Sequence, residues 1–295
     1  MSVYPITFSI PSSKIVNDIP SKSKLISSLI PGKMETYIYN TESEYYNEYK
    51  TSVFATTTKK GGWDCMRHYE ILACGAIPYF PDIEKCPENT MFFLPKTLIQ
   101  YGNTLYEKYR NKELSEIDIN VCNDLIKLLL EYTRENLTTD KIANYILNTV
   151  KHPDVKKILY LSSSTSPDYL RCVTLHGFKS IFGKMVHDYP KIPHIYQSDN
   201  INYSNLYGKG ISYTNLISEN LHDDTLDASI KEDILNKHYD LIIYASYHRG
   251  MPFFDIVSSV YSPDKIVIIC GEDEHNCDYI NFTNKGHHVF VRELK

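Results

Sequence analysis

The run Leu241-Ile242-Ile243-Tyr244-Ala245 constrains the fold more than any other stretch of the chain. It is apolar at every position, with no alternation that would leave one face for water, so a strand made from it has to be covered on both sides. Similar runs lie at 157–161 and 265–270, with less uniformly apolar ones ending at Val186 and spanning 286–291. Helical patterns separate them at 169–182, 230–237 and 253–261. Doubly buried strands joined by helical crossovers make a parallel sheet.

The second half therefore reads as a five-stranded Rossmann-like α/β layer. The first half repeats the alternation less regularly. It predicts a strand at 6–10 ended by Pro11, a short helix from Ser12 or Ser13 toward Val16, and a helix at 22–29 stopped before Pro31-Gly32. A strand follows at 36–39, then a helix through Lys50 opened by a Thr41/Glu44 capping box, then strands at 52–57, 77–80 and 91–94. Three helices come next, at 96–109, 115–136 and 139–150. Polar residues and a proline at Lys151-His152-Pro153-Asp154 mark a junction, giving domains at 1–150 and 151–295.

A chain of 295 residues has room for two such domains, and 42% hydrophobic with 23% charged residues is a globular composition. No apolar run approaches the roughly 20 residues that span a bilayer, and the N-terminus lacks the basic region and apolar core of a secretory signal. A cytoplasmic protein is expected, in the host cytoplasm if the chain is viral. Seven cysteines without a C-x-x-C pair predict free thiols instead of a disulfide framework or structural zinc. A net charge of −5 with no lysine/arginine block argues against a nucleic-acid polymer as partner. The 25 tyrosines suit sugar rings, but codon bias in an AT-rich genome enriches tyrosine as well and is the weightier account.

Chemistry concentrates at 59–80. Lys59, Lys60, Gly61 and Gly62 precede a helix in which Asp64, Arg67, His68 and Glu70 alternate with Trp63, Met66, Ile71 and Leu72; Gly75 then stops the helix before a short strand. The glycine pair allows close approach of a ligand at the start of the helix, where free amides favour an anion. Arg67 and Glu70 at i,i+3 share one rim: a guanidinium suits phosphate oxygens, and a carboxylate accepts from two ribose hydroxyls. The same spacing also fits a plain surface ion pair.

Arg67, Glu70 and Gly75-Ala76-Ile77-Pro78 resemble the donor-binding core of exostosin-like glycosyltransferases of the GT-B type. The string from 63 to 80 is similar to members carried by large DNA viruses and some bacteria. The resemblance implies two Rossmann-like domains facing a cleft, with a nucleotide-diphosphate sugar, by family default a UDP-sugar, as donor and a saccharide or glycan as acceptor. Lys60, Gly61, Gly62, Trp63, Asp64, Arg67, His68 and Glu70 are then the donor-binding candidates. In the family the donor domain follows the acceptor domain; here it comes first, so either the order is swapped or the chain is a segment of a longer protein.

Loops that follow parallel strands gather on one sheet edge, which would bring together 162–168, 246–250 and 271–275. Sugar transfer needs a base beside the acceptor hydroxyl, and Asp168, His248, Glu272 and Asp273 are the candidates, with Arg249 as a cation. Each also fits a plain loop or capping role. The carboxylates at 272–274 with His275 match a divalent-metal site only loosely, and no metal is expected to be required. The segment 189–221, rich in tyrosine around Gly208-Lys209-Gly210, suits stacking of an acceptor sugar or is a loop without function. Two rival readings remain: a non-catalytic nucleotide- or glycan-binding module, and a Rossmann methyltransferase, weakened by serines where a G-x-G turn would stand.

Overall fold

The computed structural model describes residues 3–152, 154–273 and 277–295. It is an α/β molecule with two parallel sheets. Chain order is β1 (Val3–Pro5), β2 (Lys24–Ile26), α1 (Glu42–Lys50), β3 (Ser52–Thr56), α2 (Met66–Ala73) and β4 (Ile77–Tyr79). Three helices follow: α3 (Lys96–Tyr109), α4 (Ile119–Asn136) and α5 (Thr139–Val150). Then come β5 (Ile158–Leu161), α6 (Tyr169–Phe182), β6 (Val186–Tyr189), α7 (Thr225–Leu235), β7 (Leu241–Tyr244), α8 (Phe254–Val260), β8 (Ile266–Cys270), α9 (Tyr279–Asn284) and β9 (His288–Val291). The six-stranded sheet runs β1-β9-β8-β7-β5-β6 and the three-stranded one β2-β3-β4. Strands β5, β7 and β8 are buried at every residue, as their unbroken apolar runs require.

The expected five strands of the second half gain a sixth from the opposite end of the chain. Val3, Tyr4 and Pro5 pair in parallel with Val289, Phe290 and Val291. Residues 6–10, expected as a strand, are instead an extended link that bridges from Ile10 to Thr138. The main core holds residues from around both sheets, including Phe54, Leu72, Leu125, Tyr160, Val173 and Ile269. Helix α5 leans on α6 so closely that a Cβ at Gly177 would collide with the Thr139 carbonyl, and Thr139 Oγ1 meets His176 Nδ1 at 2.8 Å. The two sheets thus share a continuous interior across the 151–154 junction, of which residue 153 lies outside the described residues.

Several local expectations change for tertiary reasons. Residues 24–26 form a strand, not a helix, because Lys24 and Ile26 find ladder partners in Ser52 and Phe54. At 36–39 a 3-10 turn, Met34–Thr36, precedes irregular chain instead of a strand. Residues 91–94 are a turn entered through a left-handed Met91 (φ 50°), which breaks an extended run. The thiols are not all free: Cys270 at the end of β8 is bonded to Cys277, with Cα atoms 6.3 Å apart, because the chain folds back within seven residues. The other five cysteines are free. Among the described residues no helix is long and apolar enough to cross a membrane.

Candidate functional site

A cavity of about 960 Å³ opens where the strand ends meet. The loop after β3 supplies Lys60 to Gly62 and Asp64, the first turn of α2 supplies Arg67, and the loops after β5, β7, β8 and β9 supply Asp168, His248, Gly271 and Arg292. Parallel strands force this convergence, since every crossover returns the chain to the same edge. The serine loop after β5 touches the loop after β7 directly: Ser246 Oγ donates to Asp168 Oδ2 at 2.8 Å, and Arg249 Nε lies 3.2 Å from the same oxygen. Tyr207 and Lys209, from the 189–221 segment, close the far side.

Arg67 and Glu70 both line this cavity, on one face of α2. Tyrosine and serine hydroxyls hold Glu70 in place: Tyr45 OH donates to Oε2 at 2.7 Å and Ser212 Oγ to Oε1 at 2.5 Å. Burial raises the Glu70 carboxyl above its ordinary range, while those hydrogen bonds and Arg67 work the other way. Burial also keeps the Tyr45 phenol protonated and therefore a donor. Ser212 reaches Glu70 from a left-handed backbone (φ 73°), a conformation that non-glycine residues rarely hold unless their surroundings enforce it. Arg67 is only 8% exposed, and among the described residues it makes no ion pair and its Nη1 has no hydrogen-bond partner. Tyr37 OH and His248 Nδ1, also on cavity-lining residues, are buried and unpartnered. Buried polar groups are satisfied in most folded proteins, so three in one cavity wall point to a polar ligand.

The glycine loop is built differently from the expectation. Neither Gly61 nor Gly62 has a positive φ; both are needed for space. A Cβ on Gly62 would collide with Glu293 Oε1, and one on Gly61 with the Asp273 carboxylate. The anion at the start of the helix is the protein's own: Glu293 accepts from the amides of Trp63 and Asp64, each at 3.0 Å. Arg292 Nη1 donates to the Asp64 carbonyl at 2.5 Å while its guanidinium lies over the Phe8 ring, 4.6 Å from the centroid. Helix α2 consequently begins at Met66 and not near Trp63.

Three donor-site candidates therefore take other roles. Asp64 lines the cavity, but its carboxylate accepts from Phe8 N at 2.7 Å and Tyr69 OH at 2.8 Å, and burial pushes it up to about 6. His68 lies behind the wall, bonded through Nδ1 to Thr57 Oγ1 and through Nε2 to the Trp63 carbonyl, both at 2.8 Å, with burial holding its ring down to about 3. Trp63 is outside the cavity lining and carries Lys59 Nζ 5.4 Å from its ring centroid. Lys60 lines the cavity with no side-chain bond among the described residues.

The candidate bases divide in the same way. Asp168 caps α6, accepting from Arg171 N at 3.0 Å, and also holds Ser246 and Arg249. Asp273 is ion-paired to Arg292. His248 and Glu272 remain in the lining; burial lowers the His248 imidazole below its ordinary range, against the pull of Asp168 and Glu272, which leaves it neutral and able to accept a proton. Glu274 and His275 lie outside the described residues. Sequence reasoning missed Arg292 and Glu293, although they follow an apolar strand by the same rule that singled out the other loops. It also missed Tyr37, for which no local pattern gave a signal.

No family model matches this chain, and neither does any curated protein or solved structure.

Proposed function

We propose that the chain is a glycosyltransferase that moves a sugar from a nucleoside diphosphate carrier, a uridine carrier by family default, to a saccharide or glycan acceptor. Two lobes about a cleft, in a GT-B-like arrangement with the donor lobe first, would do this work. One observation carries the reading: Arg67, buried in the cavity wall without an anionic partner, stands one helical turn from Glu70. A diphosphate would satisfy Arg67 and draw in Lys60, while the ribose hydroxyls would take the lone pairs of Glu70 that Tyr45 and Ser212 leave open. The acceptor would enter past Tyr207, and His248 or Glu272 would take its hydroxyl proton as that oxygen bonds the anomeric carbon and the diphosphate departs. Arg67 would then meet the charge that develops on the leaving group.

A non-catalytic binding module is the second reading. It is favoured by the engagement of Asp168 and Asp273 in structural contacts. A thermal-shift screen of nucleoside diphosphates, nucleotide sugars and S-adenosylmethionine, followed by mass spectrometry of products, separates the readings. Stabilisation by a nucleotide sugar that yields a transferred or hydrolysed sugar supports the transferase. Stabilisation without turnover supports the module, and a response to S-adenosylmethionine alone rejects both.

A further inference from the structure

A second polar cluster lies away from the cleft, around edge strand β6. His222 is buried, and its Nδ1 stands 3.1 Å from Asp188 Oδ1. With Nδ1 turned toward that carboxylate, Nε2 is the ring atom left to meet a ligand. That Nε2 is buried and has no hydrogen-bond partner. It faces two more carboxylates, Asp224 Oδ1 at 3.3 Å and Asp227 Oδ2 at 3.8 Å.

A buried ring nitrogen without a hydrogen-bond partner, facing two carboxylates, offers a cation a place to sit. We propose that His222, Asp224 and Asp227 bind a divalent transition metal of the zinc type, with a fourth position open to water. The three ligand atoms lie within 4.8 Å of one another. Tetrahedral zinc at about 2.0–2.2 Å from its ligands sets them roughly 3.3–3.6 Å apart, close to the spacings around His222. His187 Nε2 is 2.8 Å from Asp227 Oδ1, and Tyr239 OH fixes its other nitrogen at 2.6 Å. An imidazole with two carboxylates suits zinc or cobalt over magnesium or calcium, which prefer oxygen alone. A carboxylate orienting the far nitrogen of a ligating histidine is the usual support of such a site.

The placement suggests what the ion would do. His187 and Asp188 belong to β6, His222 ends the long segment that began at residue 190, and Asp224 and Asp227 stand at the start of α7. That segment sends Tyr207 to the cleft and Ser212 to Glu70. The ion would fasten its base without touching the cavity, whose lining contains none of the three ligands. This inference is independent of the activity proposed above.

The test is Co²⁺ titration of the chelator-treated full chain, read by ligand-field absorption and by melting temperature, with Zn²⁺ as competitor. One Co²⁺ per chain, displaced by Zn²⁺ and raising the melting temperature, is expected. Asp227→Asn and His222→Gln should weaken binding at least about 100-fold, and Asp188→Asn, which removes no ligand, about 10–100-fold. Asp224→Asn alters a side chain that is 80% exposed, so it keeps the fold while weakening the metal. A folded wild type that binds no Co²⁺, or Asp224→Asn and Asp227→Asn variants that bind as wild type does, would overturn the site.

Discussion

Arg67 and Glu70 stand one turn apart on α2 and make no ion pair with each other. Tyr45 and Ser212 hold the carboxylate, and among the described residues the buried guanidinium has no anion paired to it. A buried, unpaired cation is a burden on the ligand-free fold and an asset once an anion arrives. Arg67→Met is therefore expected to melt at or above the wild-type temperature without ligand and to lose the rise caused by UDP. Binding should weaken roughly 30–150-fold, the worth of about 2–3 kcal/mol of charge-assisted hydrogen bonding. Equal UDP affinity in the two proteins would refute the donor assignment.

Ser212 connects the 189–221 segment to the donor lobe, since its hydroxyl meets both Glu70 and Tyr46 OH, the latter at 2.6 Å. Ser212→Ala leaves a buried carboxylate short of a donor and should lower stability by about 1–3 kcal/mol. Hydrogen exchange should rise first around residues 205–215 and not in the β5, β7 and β8 strands. A uniform rise across the chain would show that the segment is not separately docked.

Glu293 fastens the C-terminal strand to the loop before α2 through two main-chain amides. Glu293→Ala strands both donors and is expected to lower unfolding free energy by about 2–4 kcal/mol in urea titrations. Gly62→Ala drives a methyl group into the same carboxylate and should also destabilise, by about 1–3 kcal/mol. Wild-type midpoints for both would mean that the clasp contributes nothing.

Asp64 and His68 shape the acid limb of stability in opposite directions. The Asp64 carboxyl, pushed up to about 6 from 3.8, gives a contribution fully present below about pH 4 and lost as pH rises through 6. His68, held down to about 3 from 6.5, contributes above about pH 6.5 and loses that contribution as pH falls toward 3. Between those limits the two offset each other. Asp64→Asn removes only the first, so it should lose about 1–2 kcal/mol more than wild type between pH 6.5 and 4.5. Parallel urea-denaturation profiles across that range would contradict this.

Among the described residues, His248 and Glu272 are the cavity-lining candidate bases without a hydrogen bond or ion pair, and Asp168 is a helix cap. In a transfer assay, the substitution that removes the base, His248→Gln or Glu272→Gln, should cut turnover at least about 100-fold with donor affinity preserved. Asp168→Asn should act through a lower melting temperature instead. Full turnover in both single variants would place the base elsewhere.

Much of the frame was legible because it rests on local rules. Thr41 and Glu44 form the expected reciprocal cap, with N–H to side-chain oxygen distances of 3.2 Å, and Gly75 ends α2 in a left-handed turn (φ 67°). The rule that parallel crossovers share an edge also brought Asp168, His248 and Glu272 to one cavity. Strand β2 was illegible because three residues among lysines and serines become a strand only when β3 lies alongside.

The sequence by itself determined the doubly buried strands, their helical crossovers and the face that Arg67 shares with Glu70, because periodicity is a property of neighbours along the chain. Only the tertiary structure decided who neutralises whom. Glu293 reaches Asp64 across 229 positions, Ser212 reaches Glu70 across 142, and β1 joins β9 from the opposite end of the chain. Charge and hydrogen bonding act through space, so contacts between residues so distant in sequence fixed which polar groups were consumed by the fold and which stayed available to a ligand.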